Sequence, residues 1–190
     1  SKAAADHLAR AAFVTHGLPV ITTHCSNNYG PHQYPEKLIP VVITHALAQS
    51  PLPVYGDGQH SRDWLHVSDH VAALNHLLTH GEPGATYTIG GHTERTTLDV
   101  VRAIADHLDH LAPRSTPYRE LITHVPDRPG HDRRYAIDDR KLRALGWSPQ
   151  ATFDAGLADT IAWYLNHPDW VVAARARAAT WYASHYRASP

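Results

Sequence analysis

Residues 18–40, LPVITTHCSNNYGPHQYPEKLIP, decide the class of fold. The first half of this stretch is apolar and β-branched without strict alternation, which predicts a strand covered on both faces, as in a parallel sheet. The second half carries two asparagines, a glycine and three prolines, and it leads into a predicted helix over residues 36–48 with Pro40 near its start. Amides, a glutamate and a lysine on so stiff a loop are typical of a segment that lines a pocket.

The rest of the chain continues this alternation of strands and helices. Further strands are predicted at LPVYG, DWLHV, ATYTIGG and LITHVP. Helices are predicted over residues 2–16, from Ser68 as an N-cap, after a Thr96/Asp99 capping box, over residues 138–145, from Phe153 to a stop at Pro168, and over residues 171–187. Alternating strands and helices indicate an α/β fold, and the short strands of the second half indicate a smaller mixed lobe.

Two of the predicted helices have apolar residues gathered on one side. In the first helix these include Leu8 and Val14, and in the helix after Ser68 they are Val71, Leu74, Leu77 and Leu78. In the helix after Ser68, such spacing predicts a stripe that faces the core.

Composition excludes several classes of protein. The 17 basic and 18 acidic residues nearly cancel, which argues against a nucleic-acid partner. No apolar run is long enough to predict a membrane span. The single Cys25 is typical of a reducing compartment, so we expect a cytoplasmic protein. The chain contains no methionine, from which we expect a fragment of a longer protein.

The 17 histidines are the unusual feature of the composition. Their spacing matches no zinc motif, since no His-x-x-x-His pair stands beside a carboxylate on a convincing helix face. We therefore predict solvated surface histidines and no metal site, with a metal role as the alternative.

Arginines in stiffened loops are the candidates for binding phosphate. Arg62 lies in HSRDWLHV and Arg128 in DRPGHDRRY, and together with Lys37 they provide enough positive charge for a diphosphate. The alternative is ordinary surface ion pairs, in which Arg62 pairs with Asp63 or Asp69 and Arg128 pairs with Asp127 or Asp132.

Tyr55 ends a predicted strand just before a glycine turn. Its ring can stack on a planar base, or it can be a core tyrosine whose hydroxyl is satisfied. No G-x-G-x-x-G motif follows any predicted strand, so the chain itself shows no glycine-rich cradle for a dinucleotide.

Four segments together carry a family resemblance: CSNNYGPHQYPEKLIP, PLPVYGDGQHSRDWLHVSDH, YTIGGHTERTTLDVV and DRPGHDRRYAID. They resemble the C-terminal part of the dTDP-glucose 4,6-dehydratases, in the extended short-chain dehydrogenase/reductase superfamily, from residue 1 to about residue 170. The resemblance implies the C-terminal part of a Rossmann-type doubly wound parallel sheet plus a smaller mixed α/β substrate-binding lobe. Residues 1–35 would then end the NAD-binding domain, and residues 36–190 would be mostly the sugar-nucleotide lobe, with a return to the Rossmann sheet near residues 85–112.

The resemblance also implies roles for individual residues. Lys2 matches the family's catalytic lysine, which binds the nicotinamide ribose, and Asn28 would lie against NAD. The implied contacts to the dTDP-sugar substrate are Asn27, Lys37, Leu38, Pro53, Val54, Tyr55, Arg62, Asp127, Arg128, Pro129, Gly130 and His131. Thr97 stands where the family commonly has an asparagine, and its shorter side chain puts a substrate contact there in doubt.

The activity implied is that of a lyase that converts dTDP-glucose to dTDP-4-keto-6-deoxyglucose and water, with NAD as a transient hydride carrier. The family's glycine-rich NAD loop, catalytic tyrosine and acid/base pair would precede residue 1, so we expect this chain alone to be inactive. At full length the resemblance implies a homodimer, with the helix from Lys2 at the contact.

Two alternatives stay open from sequence. One is a related NAD-dependent epimerase or decarboxylase that acts on another sugar nucleotide. The other is a non-catalytic module that binds a nucleotide sugar as a sensor.

Overall fold

The computed structural model describes residues 1–185, and the side chains of residues 1–177. Its helices are α1 (Lys2–His16), α2 (Leu38–Leu47), α3 (Val67–His80), α4 (Thr97–Leu111), α5 (Arg140–Arg143), α6 (Phe153–Asn166) and α7 (Pro168–His185), with one 3₁₀ turn at Tyr118–Leu121. Its strands are β1 (Thr22–Cys25), β2 (Asn27–Tyr29), β3 (Leu52–Tyr55), β4 (Ser61–His66), β5 (Thr86–Ile89), β6 (Glu94–Thr96), β7 (Ile122–Val125) and β8 (Arg134–Tyr135).

The chain forms two compact units, each assembled from three segments. The first unit consists of Ser1–Asn28, Ser61–Glu94 and Arg134–Phe153. The second unit consists of Tyr29–His60, Arg95–Arg133 and Asp154–Pro190. Strands β2 and β6 each run across a unit boundary along the chain.

Parallel strand pairs organise the first unit. β1 pairs with β5 in parallel, from Thr22 opposite Thr86 to Cys25 opposite Ile89. A second sheet has the order β2–β4–β6, and β8 also pairs with β4 in parallel. The apolar core of this unit lies between α3, α5 and these strands, and it contains Leu65, Ala73, Leu77, Tyr87, Ile89, Leu142 and Trp147.

The second unit is built on the parallel pair β3–β7, which runs from Leu52 opposite Ile122 to Tyr55 opposite Val125. Helices α2 and α4 pack against β3 and against each other. Their buried residues include Ile39, Val42, Ile43, Leu98, Val101, Ile104 and Leu108. The N-cap of α4 is Thr96, whose side-chain oxygen accepts a hydrogen bond from the Asp99 amide at 3.1 Å, so the predicted N-cap is confirmed, without the return bond of a full capping box.

Parallel strands alternating with helices confirm the predicted α/β class.

Helix α7 starts three residues earlier than predicted, and the predicted end at residue 187 lies outside the described residues. No helix among the described residues has the length and apolar character that crossing a membrane requires.

Three details of the sequence prediction were wrong. Ser68 is not the N-cap of α3, because the helix already begins at Val67 and His66 takes that position. The apolar stripe of α3 is largely exposed, with Leu78 82% exposed, because α3 packs through its Ala73–Leu77 side. β1 is not covered on both faces, since Thr22 and Thr23 are half-buried while His24 and Cys25 are exposed.

Candidate functional site

In the first unit, three polar side chains from three strands come together. Asn27 lies on β2, Arg62 on β4 and Tyr135 on β8, and the parallel register places Tyr135 directly opposite Arg62. The Tyr135 hydroxyl donates a hydrogen bond to Asn27 Oδ1 at 2.5 Å. The Arg62 guanidinium lies over the Tyr135 ring, with Cζ 4.5 Å from the ring centroid.

Arg62 forms no ion pair with any side chain of residues 1–177, the range in which side chains are described. Both carboxylates considered as its partners are buried and engaged elsewhere. Asp63 accepts hydrogen bonds from the amides of Gly91 and Thr93, at 2.8 and 2.7 Å, and Asp69 accepts one from the Ala151 amide at 2.9 Å. The guanidinium donates one bond to the Ser61 carbonyl at 2.7 Å, and its remaining N–H groups are available to an anion.

Two further predicted residues of this unit have simpler surroundings. Asn28 donates from its amide nitrogen to Cys25 Sγ and to the Ser26 carbonyl, both at 3.1 Å, which fixes the amide against the preceding turn. Lys2 is exposed and is the first residue of α1.

In the second unit, the ends of the parallel strands β3 and β7 hold the second group of predicted residues. Tyr55 ends β3 with its ring exposed, and Arg128, three residues after β7, places Cζ 5.3 Å from the centroid of that ring. The edge of the His131 ring faces Tyr55, with the centroids 6.3 Å apart. Tyr55 is therefore not a core tyrosine, and it offers an aromatic surface with a cation over it.

Asp127 joins two histidines in the same unit. Its Oδ1 lies 2.8 Å from His131 Nδ1 and its Oδ2 lies 3.0 Å from His60 Nε2, and the two imidazole rings stack with centroids 3.8 Å apart. The pKa of the Asp127 carboxyl lies below its usual value, and the main cause is the hydrogen bond with His131. This network ties the segment after β7 to His60, which is only 4% exposed.

Two histidines and a carboxylate are also the ligand set that a transition metal prefers, and the three ligand atoms lie within 4.8 Å of one another. The ring planes, however, are tilted by only 15° and the ring centroids lie 3.8 Å apart, so the in-plane nitrogen lone pairs lie in two separate, nearly parallel planes and one ion cannot lie in both. The other nitrogen of His60 is buried without a hydrogen-bond partner among the described residues, whereas a metal-bound histidine usually has one. The geometry is that of a hydrogen-bonded stack, and we assign no metal to it.

The remaining predicted residues of the second unit differ in their exposure to solvent. Lys37 is exposed at the N-cap of α2 and forms an ion pair with Glu36 at 3.0 Å, so its charge is partly neutralised. Leu38 and Pro53 are half-buried. Val54 is fully buried, backbone included, so it presents no exposed atom to a ligand in this structure. Pro129 and Gly130 are exposed, and Gly130 has a left-handed φ of 68°.

Ion pairs distinguish Arg62 and Arg128 from most other arginines. Among the side chains of residues 1–177, five arginines pair with carboxylates, namely Arg119 with Asp106, Arg133 with Asp57, Arg134 with Glu94, Arg140 with Asp138 and Arg143 with Asp139, while Arg114 lies over Tyr118 outside the predicted site. The Arg133 hydrogen bond is the main reason that the pKa of Asp57 falls to about 2. Arg62 and Arg128 have no such partner within residues 1–177, and each lies on a tyrosine ring instead.

Comparison with known proteins places these residues in a family. A family model described as GDP-mannose 4,6 dehydratase matches residues 1–160. The chain belongs to this family.

Curated relatives in the family are similar over most of the chain. A dTDP-glucose 4,6-dehydratase of Salmonella typhimurium is 58% identical over 172 residues, which are 90% of this chain and 48% of that protein. A dTDP-glucose 4,6-dehydratase of Xanthomonas campestris is 57% identical over 174 residues, with 90% of this chain and 50% of that protein covered. The chain thus spans about half the length of the curated relatives it matches.

Solved structures are also similar to this chain in sequence and in fold. A dTDP-glucose 4,6-dehydratase of Bacillus anthracis in complex with NAD is 46% identical, with a TM-score of 0.80 over 91% of this chain and 53% of that one. A dTDP-glucose 4,6-dehydratase of Streptomyces venezuelae, also with NAD bound, is 41% identical, with a TM-score of 0.82 over 91% of this chain and 52% of that one. A UDP-glucuronic acid 4-epimerase of Bacillus cereus, at 23% identity and a TM-score of 0.75, shares the fold.

Two residues of these groups were missed by the sequence reasoning. Tyr135 stood inside a quoted motif, but its place beside Arg62 and Asn27 depends on the register of the two-residue strand β8. His60 lies 67 residues from Asp127 in the sequence, and only the packing of the second unit brings them together. The one available signal was the position of His60 two residues before Arg62 in a predicted pocket segment.

Proposed function

We propose that this chain contributes the nucleotide-sugar-binding part of an NAD-dependent dTDP-glucose 4,6-dehydratase. The observation that carries the proposal is that Arg62 and Arg128, which stand in the motifs shared with the family, lie over tyrosine rings without a carboxylate partner among the described side chains, in a chain 58% identical to a curated enzyme of that name. The reaction would convert dTDP-glucose to dTDP-4-keto-6-deoxyglucose and release water.

The stacked arginines are suited to phosphate because of the direction of their donors. A guanidinium whose carbon lies over an aromatic ring uses the ring face for a cation–π contact, which leaves its N–H groups free to meet phosphate oxygens two at a time. The ring also restricts the rotation of the side chain, so less conformational entropy is lost when an anion binds. We assign phosphate binding to Arg62 in the first unit and to Arg128 in the second unit.

Tyr55 would provide the aromatic face for the nucleotide base, half-buried Pro53 would border it, and buried Val54 would support the strand beneath it. Asp127, Pro129, Gly130 and His131 shape the segment that carries Arg128, since the Asp127 carboxylate accepts a 2.8 Å hydrogen bond from the Arg128 amide and also binds His131. Lys37 and Leu38, at the start of α2, are proposed as additional substrate contacts, and Asn27 as a contact in the first unit.

NAD would accept a hydride from the sugar and return it within the same turnover. The groups of this chain that fit the cofactor are Lys2, an exposed ammonium at the first turn of α1, and Asn28, whose amide is already held by Cys25 and Ser26. Lys2 would bind a ribose hydroxyl and stabilise a deprotonated neighbour through its positive charge. Both assignments rest on the family resemblance and on this exposure and preorganisation.

A cytoplasmic location and a homodimer complete the proposal. The location is supported by the single free Cys25, since a reduced thiol suits a reducing compartment. The dimer is supported by the family resemblance and by the exposed apolar side chains of α1.

Related sugar-nucleotide epimerases are the second candidate. They share the fold with this chain, but those compared are 22–26% identical, against 41–46% for the dehydratase structures. The higher identity favours the dehydratase. A non-catalytic sensor is the third candidate, and the presence of Lys2 disfavours it, because a sensor has no need of that lysine.

A substrate panel tests the proposal. The natural-length polypeptide that contains this chain is loaded with NAD and incubated with dTDP-glucose, GDP-mannose or UDP-glucose. The masses of the products are measured by mass spectrometry. We expect loss of one water from dTDP-glucose and at least tenfold lower kcat/KM with the other two. Dehydration of GDP-mannose in preference, epimerisation without a mass change, or binding without turnover would each overturn it.

A further inference from the structure

The Tyr135 side chain contacts both Asn27 and Arg62. Its hydroxyl binds Asn27 on β2, and its ring lies under Arg62 on β4. The contact to Arg62 follows from the parallel β4–β8 pairing, which sets Ser61 opposite Arg134 and Arg62 opposite Tyr135. A two-residue strand thus delivers one aromatic side chain to two groups that the proposed function uses.

The hydroxyl determines what Asn27 offers. Because Oδ1 accepts the Tyr135 hydrogen, the amide nitrogen is directed away from the ring with its two N–H donors. That nitrogen has no hydrogen-bond partner among the residues whose side chains are described. Asn27 therefore presents donors, which suit a hydroxyl or phosphate oxygen of a ligand.

The ring determines where Arg62 lies. The guanidinium is held between the Tyr135 face and the Ser61 carbonyl, at 4.5 Å from the centroid and 2.7 Å from the oxygen. Loss of the ring would free the side chain to rotate, while loss of the hydroxyl alone would leave the stack in place. The two contacts can be separated by substitution.

Burial does not explain this tyrosine. Tyr135 is 46% exposed, and it is absent from the apolar core of its unit. A side chain that is half in solvent contributes little to stability by transfer from water, so replacing it should change binding more than folding.

We propose that Tyr135 is a positioning residue for nucleotide-sugar binding, acting on the ligand through Asn27 and Arg62. This inference rests on the proposed function and adds a residue to it. The hydroxyl fixes the donor face of Asn27, and the ring fixes the plane of the Arg62 guanidinium.

The test compares two substitutions with a control on the same strand. Tyr135→Phe removes only the hydroxyl, and Tyr135→Leu removes the ring as well. Arg134→Ala removes the neighbouring exposed ion pair with Glu94 and leaves Asn27 and Arg62 untouched. The natural-length protein with NAD is used, and affinities for dTDP and dTDP-glucose are measured by calorimetry beside kcat, KM and the melting temperature.

We expect Tyr135→Phe to weaken dTDP-glucose binding about 3- to 10-fold, the usual effect of one hydrogen bond, and Tyr135→Leu to weaken it at least threefold more. KM should rise with little change in kcat, and the melting temperature should stay near that of the unmodified protein, as it should for Arg134→Ala. In the background of Asn27→Ala, Tyr135→Phe should have no further effect, because the hydroxyl acts through Asn27.

The outcomes separate this inference from the proposed function. If the unmodified protein binds no nucleotide sugar, both fail. If it binds dTDP-glucose and either the Tyr135 variants bind equally well, or Arg134→Ala is equally impaired, or Tyr135→Phe retains its full effect beside Asn27→Ala, then the positioning role alone is overturned.

Discussion

At the scale of single residues, the distinction that matters is between arginines that hold carboxylates and arginines that lie on tyrosine rings. Arg62 and Arg128 were both expected in stiffened loops; Arg128 does lie outside the strands, whereas Arg62 lies on strand β4, and neither has an ion pair among the described side chains. The sequence could indicate which arginines stand in such loops, but not which carboxylates were already engaged. Asp63 is the example, since its two amide partners lie 28 and 30 residues further along the chain.

Removal of the Arg128 guanidinium should weaken nucleotide binding. We expect Arg128→Ala to raise the Kd for dTDP about tenfold or more, as is usual for a charged hydrogen bond, and Arg128→Lys to restore only part of it because a lysine lacks the planar donor pair. Arg119→Ala, which removes the paired guanidinium of the same unit, is the control and should bind dTDP normally. Equal affinities of Arg128→Ala and Arg119→Ala for dTDP in calorimetry would contradict the assignment.

His70 should make stability depend on pH. Burial lowers the pKa of His70 from its ordinary value near 6.5, because the charged form is less well solvated in the folded protein. The unfolded chain therefore binds the proton more readily, so the contribution of His70 to stability is full above pH about 6.5 and decreases as the pH falls below that.

The check is urea unfolding between pH 7.5 and pH 5. His70→Gln should reduce the loss of unfolding free energy on acidification, whereas His7→Gln, on an exposed helix surface, should follow the unmodified protein. Identical pH profiles for the His70 variant and the unmodified protein would refute the role of His70.

At the scale of elements, the sequence predicted the helices well where a local signal was decisive. The cap of α4 was found because Thr96 and Asp99 stand three residues apart, and the stop of α6 because Pro168 follows. The short strands β2, β6 and β8 were not predicted, and Asn27–Tyr29 was expected to belong to a loop, since two or three residues carry no period and acquire their conformation from neighbours in the sheet. Tyr135 was missed for this reason.

The Thr96 cap gives a prediction for α4. We expect Thr96→Ala to lower the free energy of unfolding by about 1 kcal/mol, because the Asp99 amide loses its acceptor, while Thr96→Ser should be nearly neutral. Urea unfolding measures both. A loss of equal size in the serine variant would show that the methyl group rather than the oxygen is important.

Gly58, in the turn after β3, gives a second prediction about stability. Its φ is 72°, and an added Cβ would lie 2.8 Å from Val54 Cγ1 and 2.9 Å from Leu98 Cβ. Gly58→Ala should therefore cost at least about 2 kcal/mol, from backbone strain and from overlap together.

Gly17 is the matched control for that substitution. It has a similar φ of 65°, but nothing lies within 4 Å of the position of its Cβ, so Gly17→Ala should cost only about 1 kcal/mol. Equal losses at the two glycines in urea unfolding would mean that the contacts with Val54 and Leu98 relax without cost.

At the scale of the whole molecule, the resemblance on four motifs indicated the family that the comparisons identify, while the packing inside each unit had to come from the structure. Family motifs fix which residues stand together in sequence, and His60 beside Asp127 shows what they leave out. The domain division expected from sequence, with a boundary near residue 35, stays a prediction; the two units each interleave three segments of chain.

The proposal that the catalytic tyrosine and the acid/base pair lie outside this chain also predicts how the 190-residue chain behaves by itself. We expect it to produce no 4-keto-6-deoxy sugar from dTDP-glucose with added NAD, whereas the natural-length polypeptide should do so. The comparison is made at equal molar concentration with mass-spectrometric detection. Robust turnover by the chain alone would contradict the assignment of the catalytic tyrosine and acid/base pair to residues outside it.

Transfer of a labelled hydrogen tests the central claim most directly. The natural-length protein with NAD is given dTDP-glucose that carries deuterium at C4, and the position of the label in the product is read by NMR. The account predicts a dehydrated sugar with deuterium at C6, because NAD takes the hydride from C4 and returns it to C6. Deuterium that remains at C4 of an undehydrated sugar, or that is lost to solvent, would contradict it.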